Sequence, residues 1–204
     1  MAAKTIYLAS KSPRRRELLR QAGIHFELLP LRGYPMERRD VDETPLPREA
    51  AADYVMRIAR LKAEAAMRIM QTRHLPSRLV LTADTTVVLD EGIFEKPADA
   101  AEAVSMLKQL SGRTHEVLTA IAVASTRETK TALSRSEVTF RKLDESEIRQ
   151  YVDSGEPLDK AGAYAIQGRA AMFISHLSGS YSGVMGLPLL ETAQLIKDFE
   201  TPTL

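Results

Sequence analysis

The sequence has no cysteine and no tryptophan, and aromatic residues make up only 5% of its 204 residues. Without cysteine, the chain cannot form disulfides, bind zinc through thiolates or use a thiol nucleophile. No apolar run approaches the roughly 20 residues that a membrane-spanning helix needs, and the first residues lack the apolar stretch of a signal peptide. We therefore expect a soluble, intracellular protein without a membrane partner.

An excess of one charge is also missing, because 28 basic residues face 27 acidic ones, for a formal net charge of +1. Proteins that coat nucleic acid usually carry a clear basic excess, so we expect no nucleic-acid partner. The P-loop, the dinucleotide-binding G-x-G-x-x-G pattern, the H-E-x-x-H zinc motif and the G-x-S-x-G elbow are all absent. Any phosphate chemistry must therefore use another scaffold.

Strand-like and helix-like segments alternate in the first half of the chain, and strand-like segments cluster later. This order predicts an α/β fold with a mixed sheet, and we interpret residues 1–204 as a single domain. Residues 32–48 are polar and read as a loop, and glycine-containing segments with short strands fill residues 154–186. The predicted strands cover residues 5–10, 25–31, 78–89, 116–124 and 133–143, and the predicted helices cover residues 13–22, 49–71, 97–110, 144–152 and 188–199.

The segment Ser12-Pro13-Arg14-Arg15-Arg16 joins the first strand to the first helix. Ser12 is suited to cap that helix and Pro13 to occupy its first position. The first N–H groups of a helix lack partners within it, and its dipole adds partial positive charge there. With arginines at the same end, the segment predicts a phosphate site. The alternative is a capped helix with a solvated basic face.

Asp84 interrupts a strand that is otherwise apolar. A charge there is costly unless it has partners or a task, and in α/β sheets ligands bind at strand ends. Asp84 is therefore either a catalytic carboxylate or a structural one that caps a loop or pairs with a buried lysine. Lys62 follows Ile58 by four residues on the apolar face of the long helix. It either extends to solvent or points its charge into a cleft.

Two further segments carry residues suited to phosphate or base binding. Lys96 precedes Pro97, a position that suits phosphate binding, although exposed lysines are common. Residues 159–168 combine charges, small residues and the Gln167 amide. Their glycines either let the backbone approach a ligand closely or serve the loop conformation alone. The four histidines show no metal-ligand spacing, and we interpret them as structural or surface residues.

The opening block, residues 8–19, resembles the signature of the Maf family of nucleoside triphosphate pyrophosphatases. The resemblance runs from about residue 6 to residue 199, with the blocks in the family's order. One departure is Arg60-Leu61-Lys62-Ala63, because the family has glutamate where this chain has Leu61. The other matching blocks are residues 83–85, Glu95-Lys96-Pro97, residues 155–168, Gly179-Ser180-Tyr181 and Gly186-Leu187-Pro188.

The resemblance implies hydrolysis of a nucleoside triphosphate between its α- and β-phosphates, which yields a monophosphate and pyrophosphate. It implies a divalent cation, Mg²⁺ or Mn²⁺, and a cytoplasmic homodimer. The implied fold is an elongated mixed sheet with flanking helices, similar to Maf and ITPase-like proteins, in which two lobes surround a central cleft. The form of residues 159–168 resembles the branch that acts on dTTP and UTP, with CTP and modified pyrimidine nucleotides as open candidates.

Within that branch, the positions matching Arg14, Thr85 and Gln167 are associated with substrate choice, and the position matching Asp84 is the proposed proton acceptor. The chemistry agrees with these roles. Uracil and thymine present one N–H donor between two carbonyl acceptors, and an amide such as that of Gln167 has both a donor and an acceptor. Asp84 could act as the base or as a metal ligand, and the sequence leaves both open.

Family members also carry an acidic residue that helps to hold the metal, in a loop that is longer here, over residues 32–43. Glu43 is the best match, with Asp42 second. The candidate site thus has Asp84 and Lys96 as catalytic residues, Glu43 and Asp84 as metal ligands, and Ser10, Ser12, Arg14, Arg15, Lys62, Thr85, Lys160 and Gln167 as substrate-binding residues.

Two other functions compete with this interpretation. An aspartyl phosphatase would use Asp84 as a nucleophile, but such enzymes usually carry two aspartates one residue apart, and Thr86 occupies that second position. A regulator of cell division would bind nucleotide without turnover. Release of pyrophosphate distinguishes a nucleoside triphosphate pyrophosphatase from both alternatives.

Overall fold

Strands and helices alternate along the first half of the computed structural model, which describes residues 5–31 and 40–200, the last without its side chain. Ser12 caps the first helix by accepting a hydrogen bond from the Arg15 N–H at 3.4 Å, as predicted. The loop prediction over residues 32–48 is confirmed for residues 40–48, and residues 32–39 lie outside the described part. The elements are β1 (Ile6–Leu8), α1 (Pro13–Gln21), β2 (Phe26–Leu28), α2 (Ala51–Thr72) and β3 (Val80–Leu89).

The second half contains long strands and shorter helices. A tight turn with positive φ at Asp90 and Glu91 joins β3 to β4. Residues 154–186 differ in part from the prediction, because short 3₁₀ helices form at Glu156–Asp159, Ala161–Ala163 and Arg169–Phe173, although a short strand follows at Ile174–Ser178. The elements are β4 (Gly92–Phe94), α3 (Ala100–Leu110), β5 (Thr114–Ala124), β6 (Thr129–Phe140), α4 (Glu145–Asp153), β7 (Ile174–Ser178), α5 (Tyr181–Val184) and α6 (Leu189–Glu200).

The strands of the described residues form one mixed sheet of seven, in the order β2-β1-β3-β5-β6-β7, with β4 paired to β3. Strand β1 is parallel to β2 and to β3, whereas the pairs β3–β4 and β6–β7 are antiparallel. The prediction of an α/β fold with a mixed sheet and flanking helices is therefore confirmed. The predicted cleft between two lobes stays a prediction, as does the single domain over residues 1–204.

The chain divides into two compact units, each with its own apolar core. Of the described residues, unit 1 contains 5–31, 40–84, 119–133 and 186–200, and unit 2 contains 85–118 and 134–185. In unit 1, Tyr7 and Val80 on neighbouring strands pack with Ala66 and Met70 of α2. The buried face of α2 includes Ile58, as its helical spacing predicted.

An aromatic cluster occupies the core of unit 2. Phe140 on β6 meets Tyr164 edge-on, with ring centroids 4.9 Å apart, and Tyr151 of α4 meets Phe173 in the same way at 5.2 Å. Such edge-on pairs stabilise a core beyond the apolar area that they bury. Helices α3 and α4 pack against each other.

The predicted start of α3 at Pro97 is wrong, because the helix begins three residues later, at Ala100. Asp99 supplies the cap by accepting a hydrogen bond from the Glu102 N–H at 2.8 Å. The Glu102 carboxylate in turn accepts from the Ala98 N–H at 2.6 Å. These two contacts satisfy the Glu102 N–H in the first turn and the Ala98 N–H just before the cap, which favours a start at Ala100.

Across the described residues, no helix has both the length and the apolar character that a membrane crossing requires.

Candidate active site

Strand β3 places Asp84 beside helix α2. Alternation along a strand puts Thr82 and Asp84 on the same face, and the Thr82 hydroxyl donates to the Ala59 carbonyl of α2 at 2.7 Å. Lys62 follows Ala59 by three residues, so it lies on the same side of the helix. Its Nζ reaches Oδ1 of Asp84 at 2.7 Å. Both side chains are mostly buried, with 15% of Lys62 and 12% of Asp84 exposed.

Glu43 is the third member of this cluster. We call Glu43, Asp84 and Lys62 together the carboxylate pair with Lys62. Oε1 of Glu43 lies 3.0 Å from Lys62 Nζ, and the Glu43 side chain is 48% exposed. Glu43 and Asp84 therefore share Lys62 as a partner. Asp42 instead accepts hydrogen bonds from the N–H and the hydroxyl of Thr44. The structure thus favours the first of the two acidic candidates.

Helix α2 also fixes the backbone that carries Glu43. The Tyr54 hydroxyl donates to the Glu43 carbonyl at 3.0 Å, and an Arg57 N–H donates to the Thr44 carbonyl at 3.1 Å. Arg57 is itself held by Glu49, at 2.6 Å, and this hydrogen bond raises the pKa of Arg57. Sequence reasoning missed Tyr54 and Arg57 as site-supporting residues, because nothing near them in the sequence indicates their carbonyl partners.

Ser10 and Ser12 lie just before α1, and Arg15 lies in its first turn. Ser10 Oγ accepts from the Ser12 N–H at 3.1 Å and from the Arg15 guanidinium at 3.4 Å. The same guanidinium donates to the carbonyls of Gly186 at 2.7 Å and Ala83 at 2.8 Å. Arg15 therefore holds the backbone immediately before Asp84.

The charge of Arg15 is partly removed from water. Burial lowers the pKa of Arg15, and the negative charges of Asp84 and Glu43 oppose that effect. Arg14 adds a like charge that lowers the pKa of Arg15 further. Arg14 follows Pro13 in the first turn of α1 and is partly buried.

Unit 2 carries the remaining candidates. The Gly162 N–H donates to the Glu95 carbonyl at 3.1 Å, so the backbone before Lys96 contacts the segment after Lys160. Gly162 has φ of +65°, and an added Cβ would lie 2.8 Å from Val87. Gly162 therefore serves the conformation of its loop and the packing of that loop on β3. The sequence had left this role open beside close approach to a ligand.

Lys160 and Gln167 have different environments within unit 2. Lys160 Nζ donates to the Glu156 carbonyl at 2.7 Å and pairs with Asp159. Gln167 is exposed and Thr85 is partly buried. The structure therefore fixes Lys160 within its own loop and leaves the Gln167 side chain at the surface of unit 2, not in its core.

A family model described as Maf-like protein matches residues 5–199 of this chain. The chain belongs to the Maf family. Among its relatives, the dTTP/UTP pyrophosphatase of Aromatoleum aromaticum is 59% identical over 97% of this chain and 96% of that protein. The dTTP/UTP pyrophosphatase of Nitrosospira multiformis is 58% identical over 95% of this chain and 93% of that protein. The predicted family membership is confirmed.

A solved structure supports the fold of this Maf protein. The Ham1 protein of Staphylococcus aureus matches it with a TM-score of 0.53, covering 97% of this chain and all of that chain, at 17% identity. At that identity the likeness extends to the fold alone. It agrees with the predicted mixed α/β fold.

The carboxylate pair with Lys62 gives the Maf chain a donor set for a divalent cation. Mg²⁺ is usually held by one or two carboxylates together with substrate phosphates. Glu43 and Asp84 converge on one ammonium group, which shows that both oxygens reach a single cation. Among the described residues, no group of three or more acidic or histidine side chains could hold a metal. The donor set therefore fits a cation shared with phosphate and does not fit a cage built from protein alone.

Proposed function

We propose that this chain hydrolyses dTTP and UTP between the α- and β-phosphates, releasing the nucleoside monophosphate and pyrophosphate. The observation that carries the proposal is Asp84, a carboxylate fixed on a buried strand by Lys62 at 2.7 Å, with Glu43 on the same ammonium. Relatives at 59% and 58% identity are named dTTP/UTP pyrophosphatases, which supports these substrates.

Asp84 is the group that we propose to accept the proton of the attacking water. Lys62 fixes the direction of the carboxylate, and Arg15 fixes the Ala83 carbonyl just before it, so the base is oriented before substrate arrives. A positioned base of this kind contributes about 10²- to 10⁴-fold to a rate. Arg15 is thus a positioning residue, since its guanidinium contacts backbone carbonyls.

A divalent cation, Mg²⁺ or Mn²⁺, would be held by Glu43 and Asp84. When bound, it would supply positive charge against the phosphates. Lys62 contacts the same two carboxylates, so its positive charge offsets the repulsion between their negative charges. A chelator such as EDTA should abolish turnover, and addition of Mg²⁺ or Mn²⁺ should restore it.

The triphosphate needs several cationic contacts, for which Arg14, Lys96 and Lys160 are candidate side chains. Arg14 lies in the first turn of α1, where N–H groups and the helix dipole favour an anion. Lys96 and Lys160 are the cationic candidates of unit 2, and the backbones beside them are joined by the Gly162–Glu95 hydrogen bond. Ser10 and Ser12 support the first turn of α1 through their mutual contact.

Base recognition is the role that we propose for Thr85 and Gln167. Gln167 is exposed, so its amide is accessible to a ligand and is not used up in the core. An amide offers a donor and an acceptor to the uracil or thymine edge. Cytosine presents a different order of donors and acceptors, so we expect CTP to be a poorer substrate.

A nucleotide panel tests the proposed reaction directly. The full chain is incubated with dTTP, UTP, CTP, dATP or GTP and Mg²⁺ or Mn²⁺, and pyrophosphate and inorganic phosphate are measured separately. We expect pyrophosphate from dTTP and UTP. Inorganic phosphate alone would instead indicate the aspartyl phosphatase, and binding without either product would indicate a regulator.

Membership of the Maf family also suggests an assembly and a location for this chain. We propose a homodimer, a cytoplasmic location and no nucleic-acid partner. Light scattering during size-exclusion chromatography tests the dimer, and cell fractionation tests the location. An electrophoretic shift assay with double-stranded DNA tests whether the chain binds nucleic acid. The charge balance of +1 supports the absence of a nucleic-acid partner.

A further inference from the structure

The carboxylate of Glu156 joins helix α4 of unit 2 to the segment at Arg169. Its Oε1 accepts from the Tyr151 hydroxyl at 3.1 Å, and its two oxygens accept from the Arg169 N–H at 3.1 and 3.2 Å. Tyr151 belongs to α4 and is buried in the aromatic core. The carboxylate therefore ties the loop before Arg169 to a rigid helix.

Gly168 packs directly against this carboxylate. A Cβ added at Gly168 would collide with Oε1 of Glu156, so only glycine allows the approach. The φ of Gly168 is −97°, which any residue adopts. The glycine is thus required by proximity to Glu156 and not by backbone conformation.

Gln167 lies between these fixed points. The Gly168 N–H donates to the Ala165 carbonyl at 3.0 Å, which closes a four-residue turn with Gln167 as its third residue. Ala165 and Ile166 are buried, whereas Gln167 is exposed. Buried residues on one side of Gln167 and the Glu156 contacts on the other leave its backbone little freedom.

We propose that Glu156 is a positioning residue that fixes Gln167 and thereby sets selectivity for thymine and uracil over cytosine. The inference rests on the base-reading role given to Gln167 above. A carboxylate suits the position because it is an acceptor only, and its three contacts all come from donors. A glutamine would turn its NH₂ group towards one of those donors.

Kinetics with dTTP, UTP and CTP test this inference. In Glu156→Ala, the ratio of kcat/KM for dTTP to that for CTP should fall about tenfold to a hundredfold, because small misplacements of a contact carry losses of that size. The fall should come from dTTP and UTP, while CTP keeps its rate. Glu156→Gln and Tyr151→Phe should shift the same ratio less, and they also serve if Glu156→Ala does not fold.

Two comparisons make the result specific. Asp153→Asn, an exposed carboxylate at the end of α4, is the matched control and should leave the ratio unchanged. In a Gln167→Ala background, Glu156→Ala should change the ratio no further. Melting temperatures are measured for every variant, so that a loss of fold is seen separately.

The possible results distinguish the role of Glu156 from the base-reading role of Gln167. An equal loss for all three nucleotides in Glu156→Ala, or an unchanged ratio, overturns the role of Glu156 while Gln167 still reads the base. If Gln167→Ala itself leaves the ratio unchanged, the base-reading role fails and the inference fails with it.

Discussion

In unit 1, the carboxylates of Glu43 and Asp84 both contact the ammonium group of Lys62. In unit 2, by contrast, the buried side chains of His115 and Tyr164 share a hydrogen bond of 2.8 Å between uncharged groups. The charged cluster stays open to water through Glu43, which is 48% exposed. The uncharged pair is almost completely buried, with His115 2% exposed. Burying a charge costs more free energy than burying a hydrogen-bonded neutral group.

This difference distinguishes the site that we propose for the reaction from a structural core. A reaction on phosphates needs charge where ligands can reach it, so the unit 1 cluster retains some exposure. In unit 2, burial lowers the pKa of His115 to about 4 and raises the pKa of Tyr164, so both groups stay neutral near pH 7. Both shifts show a core that excludes charge.

The largest expected effect comes from removing the charge of Asp84. In Asp84→Asn, kcat for dTTP should fall about 10²- to 10⁴-fold, because the proposed proton acceptor is lost. Steady-state pyrophosphate release measures the change. Asp90→Asn is the matched control, since Asp90 is an exposed carboxylate of unit 2 paired with Arg113. Comparable kcat values in the two variants would exclude Asp84 from the mechanism.

Acid should affect unit 2 through His115. The unfolded chain takes up this proton near pH 6.5, but the folded chain takes it up only near pH 4. The contribution of His115 is therefore fully present above pH 6.5 and is lost as the pH falls towards 4, by about 3 kcal/mol.

Urea denaturation of the wild type and His115→Gln between pH 7 and 4 measures this loss. The variant should lose less stability over that range than the wild type does. His176→Gln, which replaces an exposed histidine of β7, controls for the loss of one imidazole. Parallel pH profiles for the wild type and His115→Gln would contradict the expected linkage.

A double-mutant cycle probes the charge balance in unit 1. Lys62→Met leaves Asp84 and Glu43 without their shared cation, so it should destabilise the fold, and Asp84→Asn should offset part of that effect. We expect a coupling free energy of about 1–3 kcal/mol from urea denaturation at pH 7. Additive single changes would show that the Lys62–Asp84 contact contributes no stability.

The smallest effect is expected at the cap of α3, within unit 2. Asp99→Ala should lower the free energy of unfolding by about 1 kcal/mol, because the Glu102 N–H loses its acceptor. Thermal or urea denaturation measures the change, and activity should be unaffected. Asp153→Ala serves as a control without a cap, and an equal effect there would argue against capping as the cause.

Local patterns predicted several features correctly. Ser12 caps α1, and Asp84 lies within a buried strand, because capping and alternation depend on residues only a few positions apart. The start of α3 at Pro97 was predicted wrongly, since Asp99 and Glu102 form the better cap. The predicted order of strands and helices also holds, because hydrophobic spacing governs it.

The sequence by itself determined the Maf blocks, the Ser12 cap of α1 and the hydrophobic spacing that builds a mixed sheet. The tertiary structure decided which charges meet: Lys62 and Asp84 are 22 positions apart, and they touch only because α2 packs against β3. It also decided that Glu43, rather than Asp42, reaches Lys62, and that Glu156 contacts Gly168. Spacing along the chain cannot give such distances, because they depend on how separate elements pack.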